Sequence, residues 1–359
     1  MALMIKRKHV RTSPDFQHFL TAVRGGQPDR VPPCELSVDT EIKELYLGHA
    51  ISTLRDDVDF WVSAGYDYIV VSTKGQPIPD ETSEEVVTHP QGQRTHTHQW
   101  AVSGQGAVAT WPAFETYPWI TAHEVDYSAI DGLRDLLPHG MMAIANQGPL
   151  YSGVWRLMGL EAFSFALVEN PELVAAVYKQ VGELSIQIAE ANAQKEWVGA
   201  LWLGDDIAYN KALMTSPAVF RKYALPYYRR IGEICRRYNK PLIYHSDGNV
   251  LAVIEDLIEV VGIAALHPIE PKAMDIGQVK RDYGRRIALV GNVDVDLLSR
   301  GTPERVAART KELLRDIAPG GGYLLGSSNS IPYYVSLENY HAMLNTLREF
   351  GSYPISVQE

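Results

Sequence analysis

The chain has 359 residues, 46% of them apolar and 21% charged, with a formal net charge of -10. That balance belongs to a globular protein with a large core. The negative charge argues against a duplex nucleic acid partner, and a strongly anionic substrate would need a local basic pocket to overcome it.

Residues 1–12 are basic, and no apolar signal core follows them. No apolar run approaches membrane-spanning length. A cytoplasmic protein with no membrane partner is therefore expected. The two cysteines, Cys34 and Cys235, lack paired spacing, which argues against a disulfide framework and a Cys-based zinc module.

Taken in chain order, short apolar runs repeatedly end in polar residues. Ser13-Pro14 predicts a leading helix. A strand over 30–33 ends in Cys34-Glu35, and one over 66–71 ends in Ser72-Thr73. Segment 74–123 breaks this rhythm. It is rich in Thr, Gln, Gly and His, and it reads as an antiparallel insertion over the barrel mouth. Within it, His96 and His98 would share one strand face, as in a solvated hairpin or a metal site.

Further strands are predicted over 141–145, ending in Asn146, and over 200–203, ending in Gly204-Asp205-Asp206. Between them 170–196 reads as one long amphipathic helix. Asn170-Pro171, Ser216-Pro217 and Thr302-Pro303 pair an N-cap residue with proline at the first helical position. The run 241–244 leads into His245-Ser246-Asp247-Gly248, and 263–266 into His267-Pro268-Ile269-Glu270. The run 287–290 leads into Gly291-Asn292-Val293-Asp294, and 323–325 into Ser327-Ser328-Asn329-Ser330.

Near-continuous apolar strands mark a parallel sheet covered on both faces. Roughly eight strand-to-helix units are the number of a single (β/α)8 TIM barrel of the α/β class, with its site at the strand C-termini. The chain is accordingly read as one domain over 1–359, with 1–12 as an extension.

Asp29-Arg30-Val31-Pro32, Gly204-Asp205-Asp206, His245-Ser246-Asp247-Gly248, His267-Pro268-Ile269-Glu270-Pro271 and Gly291-Asn292-Val293-Asp294, in this order, resemble the uroporphyrinogen decarboxylase superfamily. So does Gly320-Gly321-Gly322-Tyr323 leading to Ser327-Ser328-Asn329-Ser330. That superfamily includes corrinoid-dependent methyltransferases. The resemblance implies a (β/α) barrel enzyme.

Departures favour the methyltransferase branch. Decarboxylases carry an Arg-rich segment after the first strand and an aspartate after the second. Here those places read Cys34-Glu35-Leu36-Ser37-Val38-Asp39 and Ser72-Thr73-Lys74. Methyltransferases of the branch bind zinc through His-x-Cys after the fifth strand and Cys after the eighth. Here those positions are His245, Asp247 and Asn329, so oxygen ligands replace both thiolates.

The expected catalytic residues are His245, Asp247, Asp206 and Glu270, and Glu35, Asp205 and His245 are the candidate metal ligands. Each has an alternative reading. His245 and Asp247 would satisfy each other and the turn, Asp205 or Asp206 would cap a helix, Glu270 would pair with Lys272, and Glu35 would start a helix. Asp294 reads as a cap, and the 327–330 turn as a plain loop or an anion cradle. Asn146, Tyr151, Trp155, Tyr209, Asn329 and Tyr333 are the expected substrate contacts. The aromatics, with Trp202 and Tyr334, would line a flat pocket or simply pack the core and rim.

The resemblance implies methyl transfer from a small methylated donor, such as a methoxylated aromatic, to a corrinoid cofactor on a small partner protein, with zinc as the metal. A homodimer is compatible with it. Decarboxylation of another carboxylic acid and a non-catalytic tetrapyrrole- or corrinoid-binding barrel are the alternatives.

Overall fold

The computed structural model describes residues 13–357 other than 74, 76, 79–80, 90–91 and 101–103; of 81–100 it describes the backbone. The N-terminal extension, Lys74 and the side chains of His96 and His98 therefore lie outside the described residues.

Seven parallel strands form one sheet. They are β1 (Tyr68–Ser72), β4 (Met142–Asn146), β5 (Val198–Gly204), β6 (Leu242–His245), β7 (Ala265–His267), β8 (Ala288–Val293) and β9 (Tyr323–Ser327), hydrogen-bonded in chain order. Two further strands, β2 (Glu81–His89) and β3 (Gly92–Trp100), pair antiparallel with each other in a separate sheet. The main strands are almost wholly buried, as their unbroken apolar sequences require when helices cover the sheet.

The first predicted strand, 30–33, is not a regular strand. Pro32 and Pro33 have no N–H to give to a ladder. The segment still lies beside β9. The Cys34 amide donates to the Leu325 carbonyl at 2.8 Å, and the Leu325 amide donates to the Pro32 carbonyl at 3.0 Å. On its other side a side chain replaces the ladder. The Tyr68 hydroxyl accepts from the Glu35 amide at 2.7 Å and donates to the Glu35 carbonyl at 2.9 Å. The architecture is TIM-barrel-like, with seven regular strands and this irregular segment beside the last of them.

The helices begin close to where their caps predict. Ser216 and Thr302 accept from the amides of Val219 and Arg305. The helix Pro171–Ala193 fills the long amphipathic stretch. The leading helix, Phe16–Val23, starts after Ser13-Pro14, because the Asp15 carboxylate provides the cap. Among the described residues no helix is long and apolar enough to cross a membrane.

Candidate functional site

The C-terminal ends of β5, β6 and β7 bring polar residues side by side. Gly204 pairs in register with His245, and His245 with His267. In a parallel sheet such partners face the same side. Asp205 and Asp206 follow β5 directly, and their side chains have separate tasks.

Asp205 is buried. Its Oδ2 accepts from the amides of Leu150 at 2.7 Å and Tyr151 at 2.6 Å. Its Oδ1 accepts from the Ser152 amide at 2.8 Å and hydroxyl at 2.7 Å, and the Tyr228 hydroxyl also donates to Oδ2. This carboxylate caps the helix Tyr151–Met158. With both oxygens committed, Asp205 is a structural cap, not the metal ligand expected of it.

Asp206 faces the mouth, half exposed. Its Oδ1 lies 3.6 Å from His245 Nε2 and accepts the Asp247 amide at 2.9 Å. Asp247 Oδ1 lies 3.8 Å from the same nitrogen. Asp247 Oδ2 accepts the side-chain amide of Asn329 at 2.6 Å, while its Oδ1 is enclosed with no hydrogen-bond partner. Gly248 completes the turn at φ 81°, where a Cβ would come within 2.5 Å of the Tyr209 carbonyl oxygen. Its amide donates to Glu270 Oε2 at 3.0 Å, which holds that carboxylate beside the cluster.

Burial pushes the Asp247 carboxyl up to about 7, helped by the charges of Asp206 and Glu270 and opposed by the Asn329 hydrogen bond. Burial also lowers the pKa of His245, against the pull of Asp206, and lowers that of His267 further. Burial thus favours the neutral form of both imidazoles.

Among the described residues, one group of three or more His, Cys, Asp or Glu side chains gathers closely enough to hold a metal ion: Asp206, His245 and Asp247, with one ligand atom each within 4.8 Å of the others. One imidazole nitrogen and two carboxylates suit a divalent cation that accepts N and O donors, zinc included. The enclosed, unpartnered Asp247 Oδ1 is the atom such an ion would satisfy. A thiolate-rich site is not available, because Cys34 and Cys235 are buried and outside the group.

Glu35 is not in the cluster. It is fully buried between the 32–35 segment and β9, where Oε1 accepts the Ser327 amide at 2.7 Å and Oε2 meets the Ser327 hydroxyl at 2.6 Å. Burial pushes its carboxyl up to about 8. Three amides of the 327–330 turn are already engaged, which favours the plain-loop reading over the anion cradle. The Ser327 amide goes to Glu35, the Ser328 amide to the Val293 carbonyl at 2.7 Å, and the Asn329 amide to the Ser327 hydroxyl at 3.4 Å. Asp294 accepts the Asp296 amide at 2.9 Å, the capping role read for it.

A cleft of about 270 Å³ adjoins the cluster, lined by Glu270, Lys272, Asp294, Asp296, Asn329 and Tyr334 among others. Of the expected substrate contacts, Asn329 lines this cleft. Tyr333 stacks edge-on against Tyr334 at 5.3 Å, and Tyr209 is exposed. Tyr151 is buried with its hydroxyl on Thr215 at 2.9 Å. Asn146 sits at the end of β4, bonded to the Ser72 hydroxyl at 3.3 Å, and Trp155 packs against the core. Trp202 is fully buried, edge-on to His267 at 5.0 Å.

His267 is the residue that motif reading passes over. Its Nδ1 lies 2.7 Å from His245 Nδ1. The signal for it in the sequence is two histidines ending consecutive apolar strands.

A parallel, curled sheet with a polar cluster and cleft at its strand C-termini defines a TIM-barrel-like α/β protein. Residues 121–350 match the family described as uroporphyrinogen decarboxylase (URO-D), and the chain belongs to that family. It is 25% identical over 193 residues to a uroporphyrinogen decarboxylase of Coxiella burnetii, covering 52% of this chain and 50% of the relative. It is 28% identical over 178 residues to that of Schizosaccharomyces pombe, covering 46% and 45%. The chain thus spans about half the length of the curated relatives it matches. A solved methyltransferase from Methanosarcina mazei shares the fold, with a TM-score of 0.66, 18% identity and coverage of 94% of this chain and 99% of that one.

Proposed function

We propose that this chain is a methyltransferase that moves a methyl group from a small methylated donor, of the methoxylated-aromatic type, to a corrinoid cofactor carried by a small partner protein. The observation that carries the reading is the convergence of His245, Asp247 and Asn329 across the mouth, with Asp206 added beside them. These are the three positions that the resemblance assigns to zinc binding; here His245 and Asp247 present a nitrogen and an oxygen, and Asn329 turns its side-chain amide to Asp247. The Methanosarcina mazei methyltransferase has this fold, which supports a methyl-transfer reading.

Demethylating an ether is limited by its poor leaving group. A zinc ion held by Asp206, His245 and Asp247 would supply Lewis acidity toward the departing oxygen. The chain's own residues do the rest. Asn329 and the Asp247 amide contact fix the two carboxylates relative to His245. Glu270 and Tyr334 border the cleft in which the donor would sit.

The cleft also argues against a polycarboxylate substrate. Its basic side chain, Lys272, is paired with Asp296, and Glu270 and Asp294 add negative charge. Like charges brought together in a desolvated site cost several kcal/mol. Decarboxylation of a different carboxylic acid is the second reading, favoured by the family match.

The test has two measurements, bound metal in the purified protein and anaerobic methyl transfer from methoxylated aromatics to a reduced corrinoid. Stoichiometric zinc with transfer supports the proposal. Turnover of a carboxylic acid with no methyl transfer to any corrinoid would favour the second reading.

A further inference from the structure

The contact between His245 Nδ1 and His267 Nδ1, at 2.7 Å, holds one proton between two nitrogens. Two neutral imidazoles can share it in two ways. If His267 donates, His245 carries its one ring proton on Nε2, and that nitrogen has no lone pair to offer. If His245 donates, Nε2 is a bare lone pair beside Asp206 and Asp247.

The surroundings leave His267 few other tasks. Its ring is fully buried and stands at 87° to the Trp202 ring. Its Nε2 has no hydrogen-bond partner, so the contact with His245 is the hydrogen bond its ring makes. A polar ring buried for the sake of one bond costs desolvation that an apolar side chain would avoid. That bond is what accounts for a histidine here. The register of β6 with β7 places the two rings together.

We propose that His267 is a positioning residue: it accepts the Nδ1–H of His245 and so holds His245 Nε2 as a lone-pair donor toward an ion between Asp206 and Asp247. This inference rests on the metal-binding part of the proposed function. Histidine ligands are commonly oriented this way through their second nitrogen, and losing the partner typically weakens metal binding about 10–100-fold.

The experiment measures Co²⁺ and Zn²⁺ affinity by competition with a chromophoric chelator, together with the thermal midpoint. It compares the native protein with His267→Leu, His267→Asn and His245→Ala. The Asn side chain places an oxygen acceptor where Nδ1 stood. The expected result is binding by the native protein, a loss of about 10–100-fold in His267→Leu, and recovery to within about threefold in His267→Asn.

Native affinity in folded His267→Leu, with binding abolished in His245→Ala, would overturn the positioning role and leave the metal site standing. Native protein that binds neither ion, or binds no better than His245→Ala, would overturn both. A second measurement does not depend on the variants folding. In zinc-loaded protein carrying ¹⁵N-histidine, His245 should show a protonated Nδ1. A proton found on its Nε2 would overturn the proposal.

Discussion

Asn329 donates its side-chain amide to Asp247 Oδ2 at 2.6 Å, joining the turn after β9 to the turn after β6 across the mouth. The bond settles the direction of Asp247. It occupies one carboxylate oxygen and leaves the other, Oδ1, toward His245 Nε2. Asn329 therefore acts on the cluster through Asp247.

Replacing Asn329 with alanine should loosen the site more than the fold. The partly buried hydrogen bond is worth about 1 kcal/mol to stability. Its removal also frees Asp247 to rotate, so divalent-ion affinity should fall about tenfold, the low end of losses at outer-shell positions. Chelator competition and urea unfolding on the same preparation check this. An affinity unchanged in Asn329→Ala would mean that Asp247 is held by Asp206 and the backbone alone.

Asp205 makes the opposite prediction, although it is adjacent in sequence to Asp206. Asp205→Ala strands three buried amides and two hydroxyls and removes the cap of the helix Tyr151–Met158. The loss should be about 3 kcal/mol or more, since each unsatisfied buried donor costs about 1–3 kcal/mol. Asp206→Ala, at a half-exposed side chain, should stay within about 1 kcal/mol of the native protein and lose metal. If urea unfolding ranked the two the other way, the assigned roles would be exchanged.

Glu35 predicts a pH dependence. Its folded pKa, about 8, lies above the ordinary value of 4.5 because the carboxyl is buried. A group with a raised folded pKa contributes stability that is fully present below its unfolded value and lost as pH rises through the folded one. The window therefore runs from about pH 4.5 to 8. Across it the native protein should lose on the order of a few kcal/mol to this group. In the Glu35→Gln variant the new side-chain amide can accept from the Ser327 amide and donate to its hydroxyl, as a protonated carboxyl does. That variant should match the native protein near pH 5 and exceed it near pH 9 in thermal midpoint. Parallel pH profiles for the two proteins would remove Glu35 as their cause.

Much of the fold was legible because a parallel sheet covered on both faces leaves unbroken apolar runs, and seven of those runs are strands. The 30–33 run failed because its prolines cannot feed a ladder, and because the hydroxyl of Tyr68 that stands in for one is remote in sequence. Asp205 and Asp206 could not be separated by pattern. Which one turns inward depends on where the helix Tyr151–Met158 presents its free amides, a tertiary fact. Glu35 ends its run as the barrel pattern predicts, but its partner is Ser327 and not the mouth. His267 lies within a motif whose Glu270 is the more conspicuous group. Its value appears once β6 and β7 are set in register.

At His245 a catalytic role and a packing role give different outcomes. The side chain leaves the end of β6 between His267 on one side and Asp206 and Asp247 on the other. His245→Ala deletes the nitrogen donor of the cluster and leaves His267 Nδ1 without a partner. The structural cost should be about 1–3 kcal/mol, that of a stranded buried polar group, and the variant should fold. Loss of leaving-group stabilisation should lower methyl transfer about a hundredfold or more, the usual scale for acid assistance alone. Thermal midpoint, bound zinc and methyl transfer to a reduced corrinoid, measured on both proteins, separate the cases. A rate per folded molecule equal to the native one would refute the catalytic role. A lowered rate with zinc retained would keep His245 in the reaction but remove it from the ligand set, leaving Asp206 and Asp247 to hold the ion. A lowered rate with zinc lost is the outcome that the three-donor geometry predicts.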